Sequence, residues 1–297
     1  MRYQGREQSK NVEDRRGQRG GGNMRKIGGG IGIGTVLLLV LTLLMGGDAS
    51  DIIGTLVQSG GGASQTVPTQ TNNNQPYQGS AQEEALAELV SVTLKETEDV
   101  WHGIFRSQLQ RNYQEATLVL FTDATQSACG VGRSATGPFY CPADQKIYID
   151  LSFYNQLSQR FGASGDFAMA YVVAHEVAHH VQNLLGITRQ IDAQRGRISQ
   201  EEQNDLSVRL ELQADFLSGV WAHHAHKANN ILERGDIEEA MRAAEAIGDD
   251  NIQKQSQGYI VPENFTHGTS EQRMRWLRKG LKTGDISQGD TFSAQYL

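Results

Sequence analysis

Two histidines and a glutamate in one short run, His175-Glu176-Val177-Ala178-His179, could do chemistry together. At about 3.6 residues per helical turn, positions i and i+4 project from one face roughly a turn apart. Two neutral imidazole nitrogens so placed can share a metal ion, and a carboxylate beside them can move a proton. Zinc suits such a site. It accepts nitrogen and oxygen ligands tetrahedrally, and a catalytic centre uses three protein ligands and leaves one position open for water. A single histidine on a helix is more often a packing or surface residue, so the surroundings decide. Here they are apolar nearly all round from Phe167 to Leu185, through Met169, Val172, Val173, Val177, Val181 and Leu184. A helix of that composition is buried. Two buried histidines and a buried glutamate need partners, which a metal supplies. Gly186 follows as the stop signal.

A third ligand has to come from another element, and residues 205–222 offer one. This second apolar helix is interrupted by two acids, Glu211 and Asp215, again at i and i+4. Glu211 is assigned as the oxygen ligand completing a His2Glu site. Asp215 is assigned to the free N–H of a zinc-bound histidine, which a carboxylate commonly accepts. The competing reading is a solvated acidic pair beside Arg209, but Leu210, Leu212, Ala214, Phe216 and Leu217 crowd the acids too closely for a wholly wet face.

Three segments together, HEVAHHVQ at 175–182, RLELQADFLSGVWAHH at 209–224 and GPFYCPADQKIYIDLSFY at 137–154, resemble the bacterial neutral zinc metallopeptidase family. The resemblance extends to NVEDRRG at 11–17 and HGTSEQR at 267–273, nearly the whole chain. It implies a zincin-like peptidase whose third ligand is the Glu of an E-x-x-x-D helix, here Glu211 with Asp215. More distantly the chain is similar to membrane-associated endopeptidases with a His and an Arg downstream of the zinc helix. Their counterparts here are His267 and Arg273, with Gly268 where those enzymes usually carry Pro.

The constellation implies a mechanism. Zinc on His175, His179 and Glu211 would activate a water, Glu176 would take its proton and return it to the leaving amine, and His267 is the candidate donor to the oxyanion. The expected partner is a peptide or protein substrate. A different class of function keeps the Zn2+ but drops the chemistry: an anchored, zinc-stabilised binding module of the cell envelope. Glu176 favours the enzyme, because a structural site closes its fourth position and needs no base.

The elements that must position these residues occupy the last two thirds of the chain. Its 297 residues carry a net charge of −7. Residues 1–26 hold eight basic residues against three acidic, a local +5 that leaves −12 for the remainder. Ile27 to Gly47 is 21 residues without a charge, and about 20 apolar residues span a bilayer core. This run reads as one transmembrane helix. Basic residues before it and Asp48 and Asp51 after it place residues 1–26 as a cytoplasmic tail and the catalytic domain outside a bacterial inner membrane. A signal peptide is the rival reading, although its basic lead would be long. The same membrane span and the acidic domain disfavour nucleic acid as the partner of the basic start.

Residues 48–82, rich in Gly, Ser, Thr, Gln and Asn, read as a flexible linker. Residues 83–297 form the metallopeptidase domain, expected to be α+β, predominantly helical with a small β-sheet. Helical spacing runs from Glu83 to about Tyr113, over 229–247 and over 270–281. Leu118–Phe121 and Lys146–Asp150 read as strands, the latter by analogy with zincins lying along the cleft to pair with an extended substrate, with an ordinary interior strand as the alternative. Between them Cys129 and Cys141 can form a disulfide if the domain is extracytoplasmic, worth about 3 kcal/mol for so short a loop. His223, His224 and His226 sit together at a helix end, where solvent exposure and the helix dipole explain them better than a second metal.

Overall fold

The computed structural model describes residues 1–18 and 77–297. The apolar run at 27–47 and nearly all of the 48–82 linker lie outside the described residues. Among the described residues no helix is long and apolar enough to cross a membrane.

The elements are β1 (Val12–Asp14), α1 (Ala81–Ile104) continued by a π-helical turn (Phe105–Leu109), β2 (Thr117–Phe121), β3 (Ala124–Ser127), β4 (Gly130–Arg133), β5 (Phe139–Cys141), β6 (Lys146–Asp150), α2 (Phe153–Gln159), α3 (Asp166–Leu184), α4 (Ile187–Asp192), α5 (Gln200–Asn229), α6 (Asp236–Ala246), α7 (Asp249–Gln257) and α8 (Ser270–Thr283). The class is α+β, mostly helical with a small sheet.

Four strands form the main sheet in the order β1-β2-β6-β5, with β1, β2 and β6 parallel and β5 antiparallel to β6. β2 and β6 are almost entirely buried, as expected of inner strands with apolar cover. Lys146–Asp150 is therefore not a strand offered to a substrate: β6 has β2 on one side and β5 on the other. The strand at that edge of the sheet is β5. It is tied to α3, where Asn183 Nδ2 donates to the Tyr140 hydroxyl at 3.0 Å and that hydroxyl lies 3.0 Å from His180 Nδ1. A disulfide joins Cys141, the last residue of β5, to Cys129, with Cα atoms 5.8 Å apart.

α3 buries an unbroken run from Phe167 to Ala178 and packs against α1, α5 and α6. α5 starts at a capping box in which Ser199 and Glu202 satisfy each other's backbone N–H groups, and α8 starts at a second one built by Thr269 and Gln272. These two helices touch backbone to backbone. A Cβ at Gly280 would overlap the Phe216 carbonyl, and one at Gly219 would overlap that of Leu277. The histidines near the end of α5 secure the same pairing: His223 Nδ1 bonds the Leu281 carbonyl at 2.9 Å and His224 Nε2 that of Gly284 at 2.7 Å. His223 and His224 are half-buried fasteners and not solvent-facing dipole partners, whereas His226 is exposed in the last turn, as expected.

The basic stretch 1–26 does not stand apart as a tail over its described residues. Residues 1–18 are built into the domain. β1 pairs with β2 through Val12–Leu118, Glu13–Val119 and Asp14–Leu120. The Met1 ammonium lies 2.6 Å from Asp166 at the start of α3 and 3.3 Å from Asp236 at the start of α6. It thereby satisfies two of the three acids, Asp166, Asp236 and Glu239, that otherwise cluster like a second metal site. Arg6 Nε donates to Glu96 at 2.9 Å, Lys146 Nζ reaches Glu13 at 2.7 Å, and Arg16 pairs with Asp14 at 2.7 Å and Glu84 at 3.1 Å. Of the eight basic residues that read as a membrane-side signal, Arg2, Arg6, Arg15 and Arg16 are matched to carboxylates, while Arg19, Arg25 and Lys26 lie outside the described residues.

Alanine at Gly280 should test the close helix pairing. Its better helix propensity favours the fold by about 1 kcal/mol, but overpacking costs about 1–3 kcal/mol and here strikes main chain that has no rotamer to change. A net loss of about 2 kcal/mol is expected, read as a lower urea midpoint with unchanged slope.

Candidate metal centre

α3 presents His175 and His179 from adjacent turns, and α5 packs across them to present Glu211. One ligand atom from each of the three lies within 4.8 Å of the other two. His175 Nε2 is 3.0 Å from Glu211 Oε2, and His179 Nε2 is 3.4 Å from Glu211 Oε1. The outer nitrogens are occupied: His175 Nδ1 bonds Asp215 Oδ1 at 3.0 Å and His179 Nδ1 bonds Gln182 Oε1 at 2.8 Å. Neutral imidazoles donating from Nδ1 turn an Nε2 lone pair toward the centre.

A lone pair facing a carboxylate at 3.0 Å is repulsive unless a cation lies between them, and a proton or a divalent metal can fill that role. Burial works against charge on His175, but Asp215 and Glu211 outweigh it and push its pKa up to about 9. Burial likewise opposes ionisation of Glu211, and His179 with His175 overcomes it, holding the carboxyl well below its usual range. Two imidazoles and an ionised carboxylate, with no thiolate and with anchored outer nitrogens, fit a zinc-type divalent ion.

Glu176 stands beside this triad without belonging to it. It is only 8% exposed, and burial pushes its carboxyl up, against a smaller downward pull from His179 and His175. A carboxylate with a raised pKa is suited to accept a proton near neutrality.

Behind the ligands lies a charge cluster with no exposed surface at its centre. Asp215 is fully buried. It accepts from His175, from the Tyr171 hydroxyl at 2.5 Å, and from Arg273 through Nε at 2.8 Å and Nη2 at 3.0 Å. Desolvation would raise its pKa, but Arg273 foremost and then His175 hold it down at about 2. Arg273 also donates to the Ile247 carbonyl at 3.2 Å, binding α6 to the cluster.

His267 sits on the loop before α8, fixed by Asp249. Oδ2 of Asp249 accepts the backbone N–H groups of Thr266 and His267, each at 2.6 Å, and of Gly268 at 3.1 Å, while Oδ1 is 3.1 Å from His267 Nδ1. Burial disfavours charge on His267, but Asp249 prevails and its pKa is raised. Gly268 has φ +88°, which proline, locked near −65°, cannot adopt. The difference from the endopeptidase pattern at this position is thus a different turn.

The sequence reading missed Asp249, Tyr171, Gln182 and the anchor made by Tyr140 and Asn183. Asp249 lies 18 residues from His267, at the start of a short helix, and no spacing rule joins the two. A cavity of about 160 Å3 opens over the centre. It is lined by His175, Glu176, His179, Glu211, His267 and Arg273 and by an apolar wall that includes Phe139, Phe153, Phe161, Val172, Ile247 and Ile252.

A family model described as "Putative neutral zinc metallopeptidase" matches residues 1–292. The chain belongs to that family. It is 46% identical over 294 residues to the uncharacterized protein YpfJ of Escherichia coli K12, covering 98% of this chain and 99% of that one. It is 43% identical over 194 residues to the uncharacterized protein Rv2575 of Mycobacterium tuberculosis H37Rv, covering 61% of this chain and 64% of that one. No solved structure matches it. The family match begins at residue 1, so the docked N-terminal segment falls within it.

Asp215→Asn keeps the shape of the site but removes the charge that orients His175 and neutralises Arg273. Zinc affinity should fall about 10–100-fold, measured by competition with a chromophoric chelator. Unchanged affinity would show that Asp215 has no part in holding the ligand.

Proposed function

We propose that this protein is a zinc-dependent peptidase that hydrolyses peptide bonds in the cleft between β5 and the loop carrying His267. The observation that carries the reading is Glu176: a buried carboxyl beside a three-ligand metal centre, outside the ligand set, facing an open cavity. A metal kept only for structure needs neither the carboxylate nor the cavity. His175, His179 and Glu211 would hold the ion, which supplies Lewis acidity that makes water nucleophilic near neutral pH and polarises a carbonyl.

The protein's own groups do the rest. Glu176 accepts the proton of the attacking water and delivers it to the departing amine, a task for which its raised pKa is matched. With Nδ1 engaged by Asp249, His267 can donate from Nε2 only when protonated, and Asp249 favours that form. A protonated His267 is then a donor to the oxyanion that develops on the attacked carbonyl. β5, one of the two edge strands of the sheet, offers main-chain groups to an extended peptide. The aromatic and aliphatic wall favours an apolar side chain next to the scissile bond, at about 0.8 kcal/mol per methylene removed from water.

Glu176→Gln should retain one zinc per chain and lose about 10²–10⁴-fold in kcat on an unfolded protein substrate. A fully active variant would refute the assignment of the base. Zinc in both proteins with cleavage by neither would favour a silent binding module instead. Asp249→Asn removes the charge that raises the His267 pKa, so protonated His267 would be lost at a lower pH. The alkaline limb of the kcat profile should move to lower pH, with zinc content unchanged; a profile that stays put would remove His267 from the reaction.

A further inference from the structure

The nitrogen of His179 that faces away from the metal centre begins a chain of buried amides that ends in another part of the fold. His179 Nδ1 is 2.8 Å from Gln182 Oε1. Gln182 Nε2 donates to the Leu210 carbonyl at 2.7 Å and to Gln213 Oε1 at 3.1 Å, and Gln213 Nε2 donates to the Gly289 carbonyl at 3.0 Å. Both glutamines are buried, so the protein has to supply their partners.

Gly289 lies in the segment after α8, and that segment is fastened across α5. Arg209 Nη1 donates to the carbonyls of Thr291 at 2.6 Å, Phe292 at 3.2 Å and Ala294 at 3.2 Å. The fully buried Thr291 donates its hydroxyl in return to the Arg209 carbonyl at 2.6 Å. Lys279 Nζ donates to the Gln288 carbonyl at 2.8 Å, and a Cβ on Gly289 would overlap the Phe216 ring. The Gly289 carbonyl is therefore held at a fixed point.

The direction of the relay follows from its outer ends. A backbone carbonyl can only accept, so the Leu210 and Gly289 carbonyls each claim an amide NH2 group. Gln213 is left to offer Oε1 to Gln182, and Gln182 to offer Oε1 to His179. A ring nitrogen facing that oxygen must carry the hydrogen. In the neutral ring Nε2 then keeps its lone pair, and Nε2 is the atom that lies 3.4 Å from Glu211 Oε1. His175 receives the same tautomer from a buried charge, Asp215. His179 receives it from uncharged groups.

We propose that Gln213 is a positioning residue of the metal centre, acting on His179 through Gln182, and that residues 289–291 form the outer support of the site. The proposal rests on the reading of His175, His179 and Glu211 as zinc ligands and not on peptidase activity.

Three full-length proteins carry the test: the unsubstituted chain, Gln213→Met and Thr291→Val. Gln213→Met keeps the length of the side chain and removes both hydrogen bonds of its amide. Partners that touch a ligand directly are worth about 10–100-fold in metal affinity, so a partner one bond further out should cost about fivefold, measured by competition with a chromophoric chelator. Thr291→Val removes a hydrogen bond of the same segment that lies outside the relay. Its melting temperature should fall while its zinc affinity stays that of the unsubstituted protein. Unchanged affinity in Gln213→Met would overturn the proposal, and so would an equal loss in both variants, which would mark a general loosening of the segment. Nitrogen NMR of the histidine rings in the zinc-loaded unsubstituted protein gives a reading that does not depend on either variant folding. His179 should bind the metal through Nε2 and carry a slowly exchanging hydrogen on Nδ1; the reverse assignment overturns the proposal. A chain that binds no zinc at all would remove the metal reading and the proposal with it, whereas zinc bound equally by all three proteins would remove the proposal alone.

Discussion

A carboxylate with no access to water, Asp215, is the point on which the arrangement turns. An ionised acid in that position is tolerated only if its lone pairs are filled by well-placed donors, one of them charged. Tyr171 and His175 come from α3 and Arg273 from α8, so the condition is met only when three helices are in register. Satisfying Asp215 and aligning His175 toward Glu211 are the same event. Arg273 in turn takes hold of α6 through the Ile247 carbonyl, and α6 leads directly into α7, where Asp249 fixes His267. The groups of the candidate site, on separate elements, are thus coupled through one buried charge cluster instead of being positioned independently.

The parts of the site that obey local spacing were legible in the sequence. His175 and His179 are a helix turn apart, Glu211 and Asp215 likewise, and the apolar surroundings of both pairs marked the helices as buried. The inner strands were visible as well, because Leu118–Phe121 and Lys146–Asp150 are short apolar runs with β-branched residues. What was not legible depends on distance in the chain. Asp249 acts on a loop through three backbone N–H groups, and nothing in its own neighbourhood distinguishes it from any acid at a helix start. The edge strand was misplaced for a related reason: β5 is only three residues long, flanked by prolines, and weaker in pattern than the interior strand beside it.

The N-terminal segment shows a different kind of limit. Its basic residues match two explanations equally well at the level of composition, attraction to the cytoplasmic side of a membrane and pairing with acids elsewhere in the fold. Only partners in space separate the two, and Glu84, Glu96 and Glu233 lie far along the chain from the arginines they meet. Counting charge cannot reveal this. The net −12 of residues 27–297 beside a +5 start was a hint of mutual attraction, which the adjacent apolar run masked by supplying a simpler account.

The pairing of β1 with β2 also has a consequence for how the molecule is made. Val12 meets Leu118 across more than a hundred residues, and the first residue of the chain rests near Asp236. A growing chain cannot satisfy these contacts until most of its length has emerged, and closing so long a loop is costly before the contacts repay it. Until then the outer edge of β2 stays unpaired and open to misassociation. Residues made early are among the last to find their place.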